Sequence, residues 1–186
     1  AFRPCCANAS RETSMTRLIP DQQVPDLTLP VVGGQTYNLT DEQPQNFSLV
    51  VFYRGLHCPV CKGYLNTLDG LAEAYGKAGV TIVAASMNDE ATATKTKAEW
   101  GIKNLRLGYG LSETTATAWN LYLSSTTREA EPTVFCEPGL FLVRPDGRLY
   151  LLNITNMPWG RPNLEELLSK IAFIVEKDYP ARGVKS

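Results

Sequence analysis

A single histidine, His57, occurs in the 186 residues, and no second Cys-x-x-Cys accompanies the pair Cys58-Pro59-Val60-Cys61. A structural zinc ion takes about four ligands, drawn mostly from cysteine and histidine. Cys5, Cys6 and Cys136 would have to be gathered from distant parts of the chain to complete such a set, so no metal is expected. Long apolar runs are also missing: residues 49–53 and 140–143 fall far short of the roughly 20 needed to cross a bilayer, and a soluble protein without a membrane partner is expected. No block of Lys or Arg appears, and the formal net charge is -1, which excludes the electrostatic footprint of a nucleic-acid binder. There is no glycine-rich phosphate loop, hence no expected nucleotide or flavin cofactor, and no internal repeat. The five cysteines are odd in number and unevenly spaced. That argues against a disulfide-stapled scaffold, in which each would have a partner, and for free or reactive thiols.

With 44% hydrophobic and 20% charged residues, the chain has the profile of one globular domain with a sizeable core. Residues 1–17 differ from the rest. Arg3, Arg11 and Arg17 lie among Ser10, Thr13, Ser14 and Thr16, Glu12 is the only acid, and there is no apolar periodicity. That composition is expected of a flexible tail or a targeting remnant, with the domain at 18–186. The start Ala1-Phe2-Arg3-Pro4 resembles the residue of a plastid-targeting leader, while Met15 fits a start codon behind an extension. A cytoplasmic or an organellar location, plastid included, is open on these grounds.

Within the domain, residues 24–32 and 37–39 flank Gly33-Gly34 and read as a leading hairpin. Residues 47–53 are a continuous β-branched and aromatic run, as in a strand buried on both faces. From 60 to 77, Cys61, Tyr64, Leu65, Leu68, Leu71, Ala72 and Tyr75 follow the three-four spacing of a helix with one buried stripe. The cysteine pair therefore sits at a strand-to-helix junction. Residues 80–85 and 105–109 read as strands. Residues 89–100 read as a helix capped by Asn88 or Asp89 and stopped by Gly101, and 113–121 as a helix capped by Ser112. Residues 140–143 and 149–153 flank an Asp-Gly turn and form a hairpin. A last amphipathic helix spans 164–177, with Asn163 and Glu166 at capping-box spacing. The alternation predicts an α/β fold with a parallel core.

Two cysteines at i and i+3 on a first helical turn can close a small disulfide ring, and both feel the positive end of the helix dipole. Arg54 and His57 add positive potential, and Pro59 leaves one amide fewer to satisfy. An activated thiol of this kind titrates at roughly 3.5 to 7.5.

The stretch Val50-Val51-Phe52-Tyr53-Arg54-Gly55-Leu56-His57-Cys58-Pro59-Val60-Cys61-Lys62 resembles the alkyl hydroperoxide reductase/thiol-specific antioxidant (AhpC/TSA) family, in its peroxiredoxin-like branch with Phe-Tyr-Arg-Gly-x-x-Cys-Pro-x-Cys. The similarity runs on through Glu137-Pro138-Gly139 and the hairpin to Asp178-Tyr179-Pro180-Ala181-Arg182-Gly183. It implies a thioredoxin fold, a central mixed sheet flanked by helices, here with an N-terminal hairpin extension, and thiol-dependent reduction of hydrogen peroxide or organic hydroperoxides. The reaction so implied is attack of a thiolate on the O–O bond, a sulfenic acid, and its capture as a Cys58–Cys61 disulfide. An external thiol such as thioredoxin, glutaredoxin or glutathione then restores the pair. Thiol–disulfide exchange with a protein disulfide, and a non-catalytic redox-sensing module, are the alternatives. The oligomeric state is not legible.

The family signature Phe-Tyr-Pro-x-x-x-Thr-x-x-Cys, laid on without a gap, puts Arg54 at its Pro, Cys58 at its Thr and Cys61 at its attacking cysteine. A thioredoxin-like reading reverses the roles of the two thiols, and both assignments stand. Pro138 matches the cis-proline of thioredoxins or is an ordinary trans proline at a strand start. The arginine that many peroxiredoxins carry beside the thiolate is not visible in register, and Arg54 is the substitute, either polarising a peroxide oxygen or lying solvated in its loop. The buried acid of thioredoxins is replaced by Phe52. His57 either moves protons or only shapes the loop. Cys136 is either a third redox thiol or a small buried hydrophobe. Cys5 and Cys6 are read as tail residues, and the turn Trp159-Gly160-Arg161-Pro162 as helix punctuation without chemistry.

Overall fold

The computed structural model describes residues 17–185; the rest of the 1–17 tail, with Cys5 and Cys6, lies outside them. Two strands open the domain, β1 (Thr28–Val31) and β2 (Gln35–Asn38). They are joined through Gly33 and Gly34 at φ 110° and 84°, a backbone region nearly closed to side-chain-bearing residues. There follow β3 (Phe47–Phe52), α1 (Pro59–Lys77), β4 (Val80–Ala85), α2 (Glu90–Trp100), β5 (Arg106–Gly108), α3 (Glu113–Ala118), β6 (Leu123–Ser125), β7 (Val134–Cys136), β8 (Gly139–Val143), β9 (Leu149–Ile154) and α4 (Leu164–Glu176). Seven strands form one sheet in the order β2-β1-β5-β4-β3-β8-β9, while β6 and β7 pair separately. The sheet is mixed: β3 is parallel to β4 and antiparallel to β8, and β4 is parallel to β5.

The alternating side chains of the central strands feed two cores. Leu49 and Val51 of β3 and Leu140 and Leu142 of β8 face the side covered by α1 and α4, against Leu65, Leu68, Leu167 and Ile171. Val50, Phe52, Phe141 and Val143 face the other side, against Leu27, Trp119 and the hairpin residues Leu29 and Tyr37. Every residue of β3 is buried, which explains its unbroken apolar run. Burying each large aliphatic side chain contributes about 1.5–3 kcal/mol, so the central position of β3 fixes the point from which the cysteine loop departs.

Most expected elements are present with ends moved by a residue or two. Asp89 caps α2 by accepting from Thr92 N at 2.8 Å, and Gly101 ends it in the left-handed region. The third helix stops at Ala118 rather than 121, because Trp119 closes it and Asn120 turns to φ 55°. At α4, Asn163 Oδ1 accepts from Glu166 N at 2.7 Å. The β6–β7 hairpin is not among the expected elements: its strands, Leu-Ser-Ser and Val-Phe-Cys, are three residues each and separated by a polar loop without a short turn motif.

One polar contact ties α1 to the loop that leads from α2 into β5. Asp69 Oδ1 accepts from the backbone amides of Lys103, Asn104 and Leu105 at 3.1, 2.7 and 3.0 Å. Asp69→Ala orphans these amides and is expected to lower the unfolding free energy by about 2 kcal/mol, measured by urea denaturation; an unchanged midpoint would show that water replaces the carboxylate at no cost.

Candidate active site

Leaving β3, the chain passes through Tyr53, Arg54, Gly55, Leu56 and His57 before Cys58 begins the helix. Gly55 is at φ 128°, and a Cβ there would lie 2.6 Å from Asn88 Oδ1. Only glycine lets the loop press so close. Asn88 Oδ1 in turn accepts from Leu56 N at 2.9 Å. Asn88 is thus a support of the cysteine loop, leaving the cap of α2 to its neighbour Asp89. Cys58 N donates to Gly55 O at 3.1 Å, closing the turn.

Cys58 is the N-cap of α1, with Pro59 as the first helical residue. Its sulfur accepts from Cys61 N at 3.3 Å, the contact a Ser or Asp oxygen makes at ordinary helix starts. Both cysteines are buried and reduced. The hydrogen bond from the Cys61 thiol, with further help from Cys61 N–H and the charges of Arg161 and Arg54, outweighs burial and draws Cys58 down to about 6. Burial pushes the Cys61 thiol well above the ordinary range, and the bond to Cys58 adds to that. The pair is therefore asymmetric: Cys58 is a thiolate at neutral pH and Cys61 a thiol.

Several expectations change in three dimensions. The Trp159–Pro162 turn, expected only to punctuate a helix, reaches the cysteine pair: Arg161 Nη2 donates to Cys61 Sγ at 2.9 Å. Its separation of 100 residues from Cys61 and the lack of any motif around it hid this contact in the sequence; the only available sign was an arginine next to a helix cap. Arg54 is held by side-chain partners rather than lying solvated in its loop. Its Nη2 pairs with Glu131 Oε1 and its Nε with Glu137 Oε2, each at 3.3 Å, and its guanidinium lies 4.6 Å from the centre of the Phe135 ring. It acts on Cys58 through its field, and at the same time fastens the β6–β7 hairpin to the cysteine loop.

His57 packs edge-on against the same Phe135 ring at 4.8 Å. Burial first, then the charge of Arg54, hold its pKa below the usual histidine value, so the imidazole is neutral at pH 7 and lends no positive charge. Neither ring nitrogen has a hydrogen-bond partner among the described residues. Pro138 is trans, as no cis peptide occurs among the described residues; it stands just before the first residue of β8, a strand flanked by β3 and β9, and its carbonyl accepts from Thr155 N at 3.1 Å. Cys136 is buried in the core on the opposite face of the sheet from the pair. Its thiol, directed to Tyr53 O at 3.5 Å, is pushed up to about 12 by burial, the behaviour of a small hydrophobe.

Residues 20–151 match the model of the AhpC/TSA family. The chain belongs to that family. This makes the AhpC/TSA protein an oxidoreductase of the thiol peroxidase class. Solved structures of similar fold include reduced 2-Cys peroxiredoxin of Plasmodium vivax, at a TM-score of 0.72 and 20% identity over 88% of this chain and 86% of that one. AhpC of Enterococcus faecalis follows at 0.71 and 17% over 87% and 97%, and AhpC of Mycobacterium tuberculosis at 0.68 and 16% over 87% and 95%. At these identities the likeness is one of fold. No curated protein sequence matches the chain.

Glu137 is buried, and Arg54 is its only cationic partner among the described residues. Arg54→Met strands that carboxylate and is expected to cost about 3–5 kcal/mol, whereas Arg54→Met combined with Glu137→Leu should recover most of the loss. Urea unfolding of the two variants checks this, and a double variant as unstable as the single one would contradict it.

Proposed function

We propose that this protein reduces hydroperoxides with Cys58 as the attacking thiolate and Cys61 as the resolving thiol. What supports the reading is the single contact at the helix start, the Cys58 sulfur receiving Cys61 N–H at 3.3 Å, and the ionisation that goes with it. Cys58 S⁻ displaces the distal oxygen's partner from ROOH, giving Cys58–SOH and RO⁻, which takes a proton. Cys61 then attacks the sulfenic sulfur, releasing water and forming the Cys58–Cys61 disulfide. A thiol reductant, of the thioredoxin, glutaredoxin or glutathione kind, returns the pair to its dithiol state.

Ionisation alone is a weak accelerator. Bringing a thiol from about 8.5 to about 6 raises the thiolate fraction at pH 7 roughly 30-fold, but the lower basicity gives back about 10-fold in nucleophilicity. A true peroxidase must therefore exceed free cysteine by much more than the roughly threefold net gain. The second reading, exchange with protein disulfides, is favoured by exposed apolar residues beside the site: Val60 and Trp159 line the cleft that holds Arg161, and Trp159 is 71% exposed.

Stopped-flow oxidation by hydrogen peroxide separates the two. A rate more than about tenfold above free cysteine, lost in Cys58→Ser and retained in Cys61→Ser as a sulfenic acid that forms no disulfide, is the expected result. A slow reaction, paired with rapid reduction of a protein disulfide, would transfer the function to exchange, and one slow oxidation without turnover would leave a sensor. The pH profile supplies a second check. Since Cys58 is lowered to about 6, the rate should be flat above pH 7, half-maximal near pH 6 and fall about tenfold per unit below that. A midpoint near 8.5 would remove Cys58 from the attacking role.

A further inference from the structure

The loop between β9 and α4 is built to hold Arg161 against one sulfur. Its Nη2 lies 2.9 Å from Cys61 Sγ, and its guanidinium stacks 4.8 Å from the centre of the Tyr64 ring, one turn further along α1. Tyr64 OH donates to Pro162 O at 2.9 Å, tying the next residue of the loop to the same turn. Gly160 lets the chain pass over Thr155, whose Oγ1 would be 2.5 Å from a Cβ at that position.

The charge of Arg161 has no carboxylate to balance it among the described residues, and its Nε and Nη1 are buried without hydrogen-bond partners. Arg54 is the opposite case, divided between Glu131 and Glu137. The free charge of Arg161 meets a thiol that burial would otherwise keep from ionising. A sulfur in that position is a poor leaving group, because the rate of thiol–disulfide exchange falls as the leaving thiol becomes more basic.

We propose that Arg161 is a catalytic residue of the disulfide half of the cycle, carrying the negative charge of Cys61 Sγ whenever the Cys58–Cys61 bond forms or breaks. The assignment rests on Cys58 being the sulfur that external reagents attack. In reduction, a reductant thiolate attacks Cys58 Sγ, and the electron pair of the Cys58–Cys61 bond stays on Cys61 Sγ as a thiolate, to which Arg161 Nη2 donates its hydrogen bond. Cys61 then takes a proton from solvent, and the second thiol of the reductant displaces Cys58 as thiolate, leaving the reductant oxidised. In the forming direction, Cys61 gives up its proton and its sulfur attacks Cys58–SOH; water departs, carrying the sulfenic hydroxyl and that proton. Peroxide cleavage itself places no charge on Cys61; in that step Arg161 acts only through the field that helps keep Cys58 ionised.

The test compares the full chain with Arg161→Met and Arg161→Lys. Each is oxidised to the disulfide with diamide and then reduced with dithiothreitol, with thiol release followed in time. Reduction is expected to slow about 10- to 100-fold in Arg161→Met and to recover in part in Arg161→Lys, which keeps the charge but not the planar donor pair. In the peroxide reaction, disulfide closure after sulfenic acid formation should slow in the same order. Equal dithiothreitol rates in all three proteins, or a loss confined to the first peroxide phase, would overturn the assignment. Because diamide forms the disulfide without peroxide, inertness toward peroxide would sink the proposed function and leave this comparison intact.

Discussion

The start of α1 depends on a sulfur doing the work of an oxygen. An N-cap must accept one of the helix's unsatisfied amides, and Ser, Thr, Asp or Asn usually does so. Here Cys58 fills that position, accepting from Cys61 N, so the same contact that begins the helix also stabilises negative charge on the sulfur. The capping contact thus adds to the larger effect of the hydrogen bond from the Cys61 thiol, and the proline that follows supplies a ready-made helical φ without adding an unpaired amide. The rest of the domain places this cap: β3 delivers the chain from the centre of the sheet, Gly55 and Asn88 close the turn, and Leu65 and Leu68 lock the helix onto the core.

Two cations stand near the pair and are used in different ways. Arg54 is neutralised by two carboxylates and gripped by Phe135; its contribution to the sulfur is a screened field, and its main effect is mechanical, holding the β6–β7 hairpin down. Arg161 has no acidic partner among the described residues and touches sulfur directly. A direct, charge-assisted hydrogen bond in a buried site outweighs a paired charge at longer range. The asymmetry of the cysteines has another origin, the deeper burial of Cys61 and the hydrogen bond its thiol gives to Cys58. The helix start favours charge at Cys58, while Cys61, one turn in, depends on whatever side chain the tertiary fold brings to it.

The legible part of the protein was the part written in local chemistry. The three-four stripe of Cys61, Leu65, Leu68 and Tyr75, the buried run of β3, the Asp89 and Asn163 caps and the Asp-Gly hairpin are all governed by contacts within a few residues, and each appeared within a residue or two of its expected place. The position of the reactive pair at a strand-to-helix junction followed from the same patterns. The β6–β7 hairpin was invisible because its three-residue strands gain their stability from packing on Arg54 and His57 through Phe135, not from their own alternation.

Sequence alone thus determined the fold class, the family and the two sulfurs, because spacing and propensity act along the chain. Only the tertiary structure decided what surrounds them. It ion-paired Arg54 with Glu131 and Glu137, left the His57 ring nitrogens without hydrogen-bond partners among the described residues, put Cys136 in the core on the other face of the sheet, and brought Arg161 across 100 residues to Cys61. The physical reason is that charge and burial act through space. A thiol's acidity is set by the groups a few ångströms away, and their separation along the chain carries no record of that distance.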